Sequence, residues 1–288
     1  MGNNPKILVT GAHGQLGMEM RDLAPSYPQF EFLFTGKEEL PIENIVELQN
    51  FFSQHQPRYC INCAAYTAVD KAEDPEEKTK AFNINVTAAA QLSRLCLEYR
   101  TQLIHISTDY VFDGTASKPY QEDDELNPLN HYGLTKFLGE RFVLSSGSSI
   151  VIRTSWLYSS YGKNFVKTML RVMSEKDQIQ VVNDQQGSPT YAADLGAAIL
   201  QIISSGKWEA GVYHFCNKGV ISWYDFAVAI KEISGSSCKI ESIPTSKFPT
   251  PAKRPVYSVL NTQKIEQVYG IKTKDWKESL KRCIDNLH

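Results

Sequence analysis

Two kinds of apolar pattern succeed one another along this chain of 288 residues. Short, continuous apolar runs, which suit strands buried on both faces, predict strands near 6–10, 30–35, 58–63, 102–107, 148–154 and 178–182. Between them the apolar residues recur at helical spacing, most clearly over the stretch Glu76–Tyr99. Strands that alternate with helices predict right-handed crossovers and a parallel sheet. The pattern therefore places the chain in the α/β class.

The C-terminal part of the chain is dominated by helical patterns. A helix is predicted over Thr190–Ser204, and further helices over Trp223–Ile233, Lys264–Tyr269 and Trp276–Leu287. Prolines clustered between 244 and 255 exclude a helix interior or a central strand, so that segment is predicted to be a loop. The later helices and this loop are expected to build a second, smaller lobe.

A glycine-rich turn follows the first predicted strand. Residues 11–17 read Gly-Ala-His-Gly-Gln-Leu-Gly, which lacks the Gly-x-Gly-x-x-Gly fingerprint of dinucleotide sites. The glycines still allow a tight turn and a close approach of the backbone. A helix that starts near Gly14 would direct its free N–H groups at a pyrophosphate. The alternative is an ordinary turn.

Small and hydroxyl side chains end two further strands. Residues 63–65, Cys-Ala-Ala, follow the third predicted strand, and residues 107–109, Ser-Thr-Asp, follow the fourth. Ligands of parallel sheets bind outside the carboxyl ends of the strands, so we expect these residues and the glycine turn to line one crevice. The hydroxyls could instead cap the strand end and begin a turn.

Tyr132 and Lys136 lie four residues apart in a segment with helical apolar spacing. Positions i and i+4 share one face of a helix, so the ammonium is expected near the phenol. A neighbouring cation lowers the pKa of a phenol from its reference value of about 10, which suits proton transfer to a carbonyl. Alone, the spacing is common and also fits a solvated helix face. The predicted crevice favours catalysis.

Longer segments carry a family resemblance. The most specific are Thr67–Glu73 (Thr-Ala-Val-Asp-Lys-Ala-Glu), Arg153–Trp156 (Arg-Thr-Ser-Trp) and Pro251–Pro255 (Pro-Ala-Lys-Arg-Pro). With the glycine turn and the Tyr-x-x-x-Lys spacing, they resemble the extended short-chain dehydrogenase/reductase superfamily, and within it the dTDP-4-dehydrorhamnose reductases. Segments 107–114, 164–169 and 183–190 extend the similarity over almost the whole chain.

The resemblance implies a Rossmann-like, doubly wound parallel sheet with a smaller α/β lobe that closes over the substrate. We expect an NAD(P)-binding domain of residues 1–155 plus about 178–205, and a discontinuous substrate-binding lobe of about 156–177 plus 206–288. The implied activity is NAD(P)H-dependent reduction of the 4-keto group of dTDP-4-dehydro-6-deoxy-L-mannose to dTDP-L-rhamnose. The alternatives are another nucleotide-sugar 4-ketoreductase or an epimerase, and a non-catalytic regulatory subunit on the same fold.

Catalytic and cofactor-binding residues follow from the same resemblance. Tyr132 is expected to give a proton to the carbonyl oxygen, Lys136 to lower the pKa of Tyr132 and hold the nicotinamide ribose, and Thr108 to hydrogen-bond the same oxygen. The expected cofactor contacts are Gly11, His13, Gly14, Gln15, Leu16, Gly17, Thr35, Lys37, Cys63, Ala64, Ala65, Tyr66, Ile106, Tyr132 and Lys136.

Substrate contacts are expected from Thr108, Asp109, Trp156 and Arg254. The ring of Trp156 could pack on the sugar or the base, and the planar fork of Arg254 suits a diphosphate. A buried tryptophan between the lobes and a surface-loop arginine are the respective alternatives. Asn85 stands where relatives place a relay or structural asparagine, and could also be an ordinary polar residue within a helix.

The second predicted strand bears on the choice of cofactor. NAD-preferring enzymes usually carry a carboxylate just after this strand. Here the first carboxylate is Glu38, and Thr35 and Lys37 come before it. A hydroxyl followed by a lysine suits a 2'-phosphate, so NADPH is favoured, with NADH as the alternative. Relatives often have an aspartate where Pro41 stands, and some where Thr35 stands.

Some relatives bind magnesium through glutamates at a dimer contact. Of those glutamates, only Glu19 has a counterpart in this chain, so no metal is expected.

Composition excludes several function classes. The chain has 30 Lys and Arg against 32 Asp and Glu, so its net charge does not favour nucleic-acid or membrane binding. No apolar stretch of about 18 residues predicts a membrane span, and the N-terminus lacks the apolar region of a signal peptide. The protein is therefore expected to be cytoplasmic, a monomer or homodimer that acts on a small nucleotide sugar.

Six cysteines are expected to be core thiols. Cys60 and Cys63 form a C-x-x-C, which raises the alternative of redox or metal chemistry. Side chains three residues apart in a strand point to opposite faces, and no second pair completes a tetrahedral zinc site. The core-thiol interpretation is therefore favoured.

Overall fold

A computed structural model of the protein describes residues 4–287. Residues 1–3, on which the expected lack of a signal peptide partly rests, lie outside the described residues. The strands are β1 (Lys6–Thr10), β2 (Glu31–Thr35), β3 (Tyr59–Asn62), β4 (Gln102–Thr108), β5 (Ile150–Thr154), β6 (Leu157–Tyr158), β7 (Gln178–Val182), β8 (Gln186–Gly187), β9 (Thr190–Tyr191), β10 (Gly211–His214), β11 (Ile221–Ser222) and β12 (Lys239–Ile243). The helices are α1 (Gln15–Leu23), α2 (Ile45–His55), α3 (Pro75–Phe82), α4 (Ala89–Glu98), α5 (His131–Leu144), α6 (Phe165–Glu175), α7 (Ala192–Ser204), α8 (Trp223–Ser234), α9 (Gln263–Tyr269) and α10 (Trp276–Asp285).

Six parallel strands form the central sheet, in the order β10-β5-β4-β3-β1-β2. From β1 the chain adds β2 on one side and then returns to add β3, β4 and β5 on the other. The direction of winding therefore reverses between β1 and β3, which is where a doubly wound sheet opens a crevice at the carboxyl ends of its strands. The predicted α/β class and doubly wound sheet are confirmed.

One strand predicted for this sheet lies elsewhere. β7 has the expected limits but pairs in parallel with β12, with Ile179 opposite Ile240. The sixth place in the central sheet is taken by β10, next to β5. It was wrong to expect residues 178–182 in the nucleotide-binding sheet and all of 206–288 outside it. A local apolar pattern specifies a strand but not its partner.

Helices cover both faces of the central sheet, as its continuous apolar runs require. Ile7 and Val9 lie on the face packed by α1 and α7, whereas Leu8, between them, lies on the face packed by α2, α4 and α5. A separate core, which includes Tyr158 and Phe226, joins α6, α8 and α10. Among the described residues, the central sheet thus carries a hydrophobic core on each face, and a further core joins α6, α8 and α10.

Contacts with neighbouring loops fix the start of α5. The Asn130 side chain accepts a hydrogen bond from the Gly133 N–H at 2.8 Å and donates one to the Lys253 carbonyl at 2.8 Å. A side chain at Gly133 would overlap the carbonyl of Tyr110, so the glycine allows the helix to begin directly against the loop after β4. This arrangement brings the first turns of α5 to the carboxyl end of β4.

The helical stretch predicted over 76–99 is divided into α3 and α4 by a π-helical turn, Asn83–Ala88. Short 3-10 turns occur at Ala24–Ser26, Lys71–Glu73, Asp109–Val111 and Thr245–Lys247. Within residues 4–287, none of the helices has the length and apolar character needed to cross a membrane.

Candidate active site

A continuous crevice runs along the carboxyl edge of the central sheet. Its first section is lined by the glycine turn and the residues after β2. Its middle section is lined by residues that include Thr108, Tyr132 and Lys136, and its third by residues that include Tyr110 and Arg254. Adjoining sections share lining residues. The folded chain thus brings the predicted strand ends together in one groove.

Close backbone packing explains the glycine turn. Gly11 has φ +64°, and a side chain there would lie 2.7 Å from the backbone nitrogen of Ala64. At Gly17 a side chain would lie 2.5 Å from the Cα of Ala12. The helix α1 begins at Gln15, and the first residues of α1 line the middle section. Free N–H groups at a helix start suit a pyrophosphate, so the turn fits a dinucleotide without the strict fingerprint.

The residues at the end of β2 only partly match the prediction. Lys37 and His13 line the first section of the crevice. Thr35 is buried, and its hydroxyl donates to the carbonyl of Val9 at 3.4 Å. Side chains alternate between the two faces of a strand. Thr35 is not among the residues that line the first section of the crevice, and its contact with a 2'-phosphate stays a prediction.

Glu39, a carboxylate that was not predicted as a site residue, lies beside these residues. Glu39 accepts a hydrogen bond from the Gly36 N–H at 2.8 Å, and its other oxygen lies 3.4 Å from Nε2 of His13. The side chain reaches back three residues to the strand end, where NAD-preferring enzymes place their carboxylate. The sequence signal that could have identified Glu39 is its position three residues after Gly36, close enough to accept a hydrogen bond from the glycine N–H.

Tyr132 and Lys136 both line the middle section of the crevice. Nζ of Lys136 donates to the carbonyl of Ile106 at 2.7 Å, so the backbone of β4 holds the amine. Burial raises the pKa of Tyr132 to about 12, against the effect of the Thr108 hydroxyl. Burial also lowers the pKa of Lys136, to about 8. The net shift of the Tyr132 pKa is therefore upward and is set by burial, while a lowering effect of Lys136 on that pKa stays a prediction.

Thr108 combines both roles that its position allows. Its hydroxyl donates to a carboxylate oxygen of Asp109 at 3.1 Å and accepts from the Tyr110 N–H at 3.3 Å, which caps the following turn. The same side chain lines the crevice beside Tyr132. Burial raises the pKa of Asp109 to about 6, although hydrogen bonds from Ser258 and Thr108 oppose the rise.

Asn85 connects the backbone of Tyr66 to α5. The amide of Asn85 is buried and bonds both backbone groups of Tyr66, at 2.9 and 3.1 Å, and the hydroxyl of Thr135 on α5 at 3.0 Å. The ring of Tyr66 packs against Ala72 and Ala81, and not in the crevice. Tyr66 is not among the residues that line the first two sections of the crevice, and its cofactor contact stays a prediction. Asn85 ties the loop after β3 to α5.

Trp156 occupies a strained position at the crevice. It has φ +47°, and its ring lies parallel to that of Trp223 with centroids 3.6 Å apart. A side chain at Gly187 would overlap the Trp156 ring, so the glycine makes room for it. Both tryptophans line the middle section. Trp156 thus packs against the core of α6, α8 and α10 and also faces the crevice. Trp223, the first residue of α8, was not predicted as a site residue.

Arg254 is held by an aspartate from a distant segment. Its two terminal nitrogens donate to the two carboxylate oxygens of Asp70, at 3.1 and 2.7 Å. Burial alone would raise the pKa of Asp70, but the hydrogen bonds from Arg254 and from the Ala252 N–H hold it below its usual value. Arg254 is therefore not an isolated surface arginine, and it lines the third section of the crevice.

All six cysteines are free thiols, and five of them are buried. The sixth, Cys63, is partly exposed and lines the crevice with Ala64 and Ala65. Glu19 accepts hydrogen bonds from the hydroxyls of Ser159 and Ser160. Among the residues that the structure describes, no cluster of three histidine, cysteine or carboxylate side chains is placed to hold a metal ion.

Comparison with known proteins agrees with this geometry. Residues 5–288 match the model of the family described as RmlD substrate binding domain. The chain belongs to this family. A dTDP-4-dehydrorhamnose reductase from Aggregatibacter actinomycetemcomitans is 40% identical over 287 residues, which are 96% of this chain and 97% of the relative.

Two solved structures of family members are also similar. A dTDP-4-dehydrorhamnose reductase from Clostridium acetobutylicum has a TM-score of 0.93 and 43% identity, with 98% of this chain and 99% of that chain covered. One from Bacillus anthracis, in complex with NADP, has a TM-score of 0.92 and 36% identity, with the same coverage. The predicted kinship with the dTDP-4-dehydrorhamnose reductases is confirmed.

Proposed function

We propose that this protein reduces the 4-keto group of dTDP-4-dehydro-6-deoxy-L-mannose to give dTDP-L-rhamnose, the last step of dTDP-rhamnose biosynthesis. The hydride donor is NADPH, with NADH as an alternative. The observation that carries the proposal is the presence of Thr108, Tyr132 and Lys136 along one section of a crevice that also contains the glycine turn. The names of the family members, one of them solved with NADP, support it.

The residues of the first section fit a dinucleotide. The backbone at Gly11 and Gly17 approaches its neighbours too closely for any side chain, and the start of α1 supplies free N–H groups. Lys37 offers positive charge to a 2'-phosphate, whereas Glu39 would favour a ribose hydroxyl. When bound, the reduced cofactor supplies the hydride.

Three side chains of the middle section would act on the keto group. Tyr132 gives its proton to the carbonyl oxygen, because a phenol with a pKa near 12 holds that proton at neutral pH. Thr108 places a hydroxyl where the negative charge develops. Lys136, which the carbonyl of Ile106 holds, would bind the nicotinamide ribose.

The third section and the adjoining part of the middle section would take the rest of the substrate. Arg254 is aligned by Asp70 and can still offer N–H groups to a diphosphate. Trp156, stacked on Trp223, offers one edge of its ring to the sugar. Asp109 lies beside Thr108 and can hydrogen-bond a sugar hydroxyl. We propose that this part of the crevice, with the core of α6, α8 and α10, forms the substrate lobe.

The competing functions differ in the chemistry they need. A regulatory subunit would not need an acid, a cation and a hydroxyl along one groove, and these residues are retained. An epimerase would return its cofactor unchanged after each cycle.

A cytoplasmic location and a monomeric or homodimeric state stay predictions from the sequence.

The test is NADPH oxidation by the purified protein on addition of the keto-sugar nucleotide. We expect oxidation that depends on the sugar nucleotide and fails in Tyr132→Phe. Binding of NADPH without any sugar-dependent oxidation would refute the proposal and favour a regulatory protein. Sugar conversion without net oxidation would favour an epimerase.

A further inference from the structure

A line of buried polar side chains leads from β1 to Lys136. The hydroxyl of Thr10 donates to Oδ1 of Asn62 at 2.7 Å, and the N–H of Ala64 donates to the same oxygen at 3.2 Å. The amide nitrogen of Asn62 lies 3.0 Å from Nδ1 of His105, and Nε2 of His105 lies 3.5 Å from Nζ of Lys136. The side chains in this line are at most 2% exposed, so water does not compete for these contacts.

The contacts of Asn62 determine which nitrogen of His105 carries the proton. Because Oδ1 of Asn62 accepts two hydrogen bonds, its amide nitrogen must face the imidazole, and that nitrogen can only donate. Nδ1 of His105 therefore accepts. Burial, with Lys136 nearby, holds the pKa of His105 well below its usual value, so the ring is neutral and its single proton lies on Nε2.

This tautomer directs an N–H group at the lysine. A neutral amine can accept that hydrogen with its lone pair while it donates to the carbonyl of Ile106 at 2.7 Å. An ammonium has no lone pair and meets the positive end of the N–H dipole. We propose that His105 is a positioning residue for Lys136, which holds the amine against β4 and favours its uncharged form through the proton on Nε2.

Other groups around Lys136 act on its charge as well. Glu140, one turn along α5, and Cys63, after β3, favour the charged form of Lys136. Glu140 is itself paired with Arg153 of β5 at 2.9 Å. The phenol of Tyr132, one turn earlier on α5, lines the same section of the crevice as Lys136.

Burial outweighs the groups that favour the charge and lowers the pKa of Lys136 to about 8. Because this pKa is depressed from a value above 10, the cation is present below about pH 8 and is lost as the pH rises through that value. In the proposed arrangement, the N–H of His105 adds to the lowering that burial produces.

Two variants distinguish an effect of the proton on Nε2 from the effect of any side chain that fills the position of His105. His105→Asn keeps an acceptor for Asn62, at the level of Nδ1, but removes the group that faces Lys136. His105→Gln puts an amide N–H at the level of Nε2. A hydrogen bond of about 0.5–1.5 kcal/mol corresponds to a shift of about 0.5–1 pH unit. The Lys136 titration should therefore move up by about that amount in His105→Asn, and by less in His105→Gln.

The experiment follows the protein directly and does not require activity. The ε-carbon signal of Lys136, in protein labelled with 13C-lysine and assigned through Lys136→Arg, is recorded by NMR against pH for the wild type and both variants. The ring nitrogens of His105 are observed in 15N-labelled wild-type protein, which decides the tautomer even if a variant does not fold. We expect the proton on Nε2 and the two graded shifts. A proton on Nδ1, an unchanged Lys136 titration in His105→Asn, or equal shifts in both variants would overturn the inference.

The kinetic consequence rests on the proposed function and is tested separately. If Lys136 acts as a cation, turnover should fall as the pH rises through about 8, and this limb should move upward in His105→Asn. A titration that shifts while the kinetic limb stays in place would count against the proposed role of Lys136 in catalysis, and would leave the assignment of His105 supported.

Discussion

Substitution of Tyr132 by phenylalanine removes one hydroxyl and little else from the proposed site. The ring packs edge to face on that of Tyr110, with centroids 5.8 Å apart, and a phenylalanine keeps this contact. Thr108 and Lys136 keep their backbone contacts, because neither of those contacts involves the phenol. The variant should fold normally and bind NADPH. Its turnover should nevertheless fall sharply.

The size of the loss follows from what a positioned proton donor contributes to turnover. With a pKa near 12, only about one phenol in 10⁵ is ionised at pH 7, so nearly every molecule has the proton available for the carbonyl oxygen. Proton transfer by a positioned side chain contributes about 100-fold to 10⁴-fold. Thr108 still supplies its hydroxyl in the variant, so we expect a loss of about 100-fold or more.

The assay measures turnover and the Michaelis constant by NADPH oxidation, with NADPH affinity measured separately by fluorescence. Tyr110→Phe is the matched control, since it removes a second phenol that lines the same section without removing the proposed acid. We expect that control to stay within about tenfold of the wild type in turnover. A Tyr132→Phe variant that retains most of its turnover, or a control that loses as much, would refute the assignment.

Four further substitutions test the expected cofactor and substrate contacts of the crevice. Lys37→Ala should weaken NADPH about tenfold and leave NADH nearly unchanged, since about 1.5 kcal/mol of charge-assisted contact is lost at an exposed site. Arg254→Ala should raise the Michaelis constant for the sugar nucleotide and spare NADPH affinity, and Asp70→Asn, which keeps the guanidinium, should have a smaller effect. Trp156→Ala should both lower stability, by about 3 kcal/mol through its lost stack on Trp223, and raise that Michaelis constant.

Each of these results can fail in a recognisable way. Equal weakening of NADPH and NADH in Lys37→Ala would place the 2'-phosphate elsewhere. An unchanged Michaelis constant in Arg254→Ala would make its pairing with Asp70 purely structural. A loss of melting temperature in Trp156→Ala without a selective kinetic effect would make that ring part of the core only.

The strands and helices could be predicted because their signals are local. The apolar run at Lys6–Thr10 and the helical spacing after Tyr132 each identify an element from within a few residues. The partner of β7 could not be predicted, since Gln178–Val182 pairs with a strand about 60 residues away that shares no local signal with it. The strand β10 was not predicted either, because its four residues are too short a run to be recognised from a local pattern.

The site could be predicted as a set of residues but not as a set of contacts. The Tyr132 and Lys136 spacing and the glycine turn identified the crevice. The hydrogen bonds inside it depend on side-chain directions that spacing does not give. Thr35 turns to the carbonyl of Val9, and Arg254 finds an aspartate 184 residues away. The pKa of Tyr132 rises because burial, which cannot be counted from neighbours in sequence, dominates.

The most direct test of the proposed function follows the hydride itself. The purified protein is mixed with dTDP-4-dehydro-6-deoxy-L-mannose and NADPH deuterated on the transferred position of the nicotinamide, and the product is examined by NMR. The proposed function predicts dTDP-L-rhamnose with deuterium at C4 of the sugar and one oxidised cofactor per product. Deuterium retained on the cofactor, or a product with the opposite configuration at C4, would contradict it.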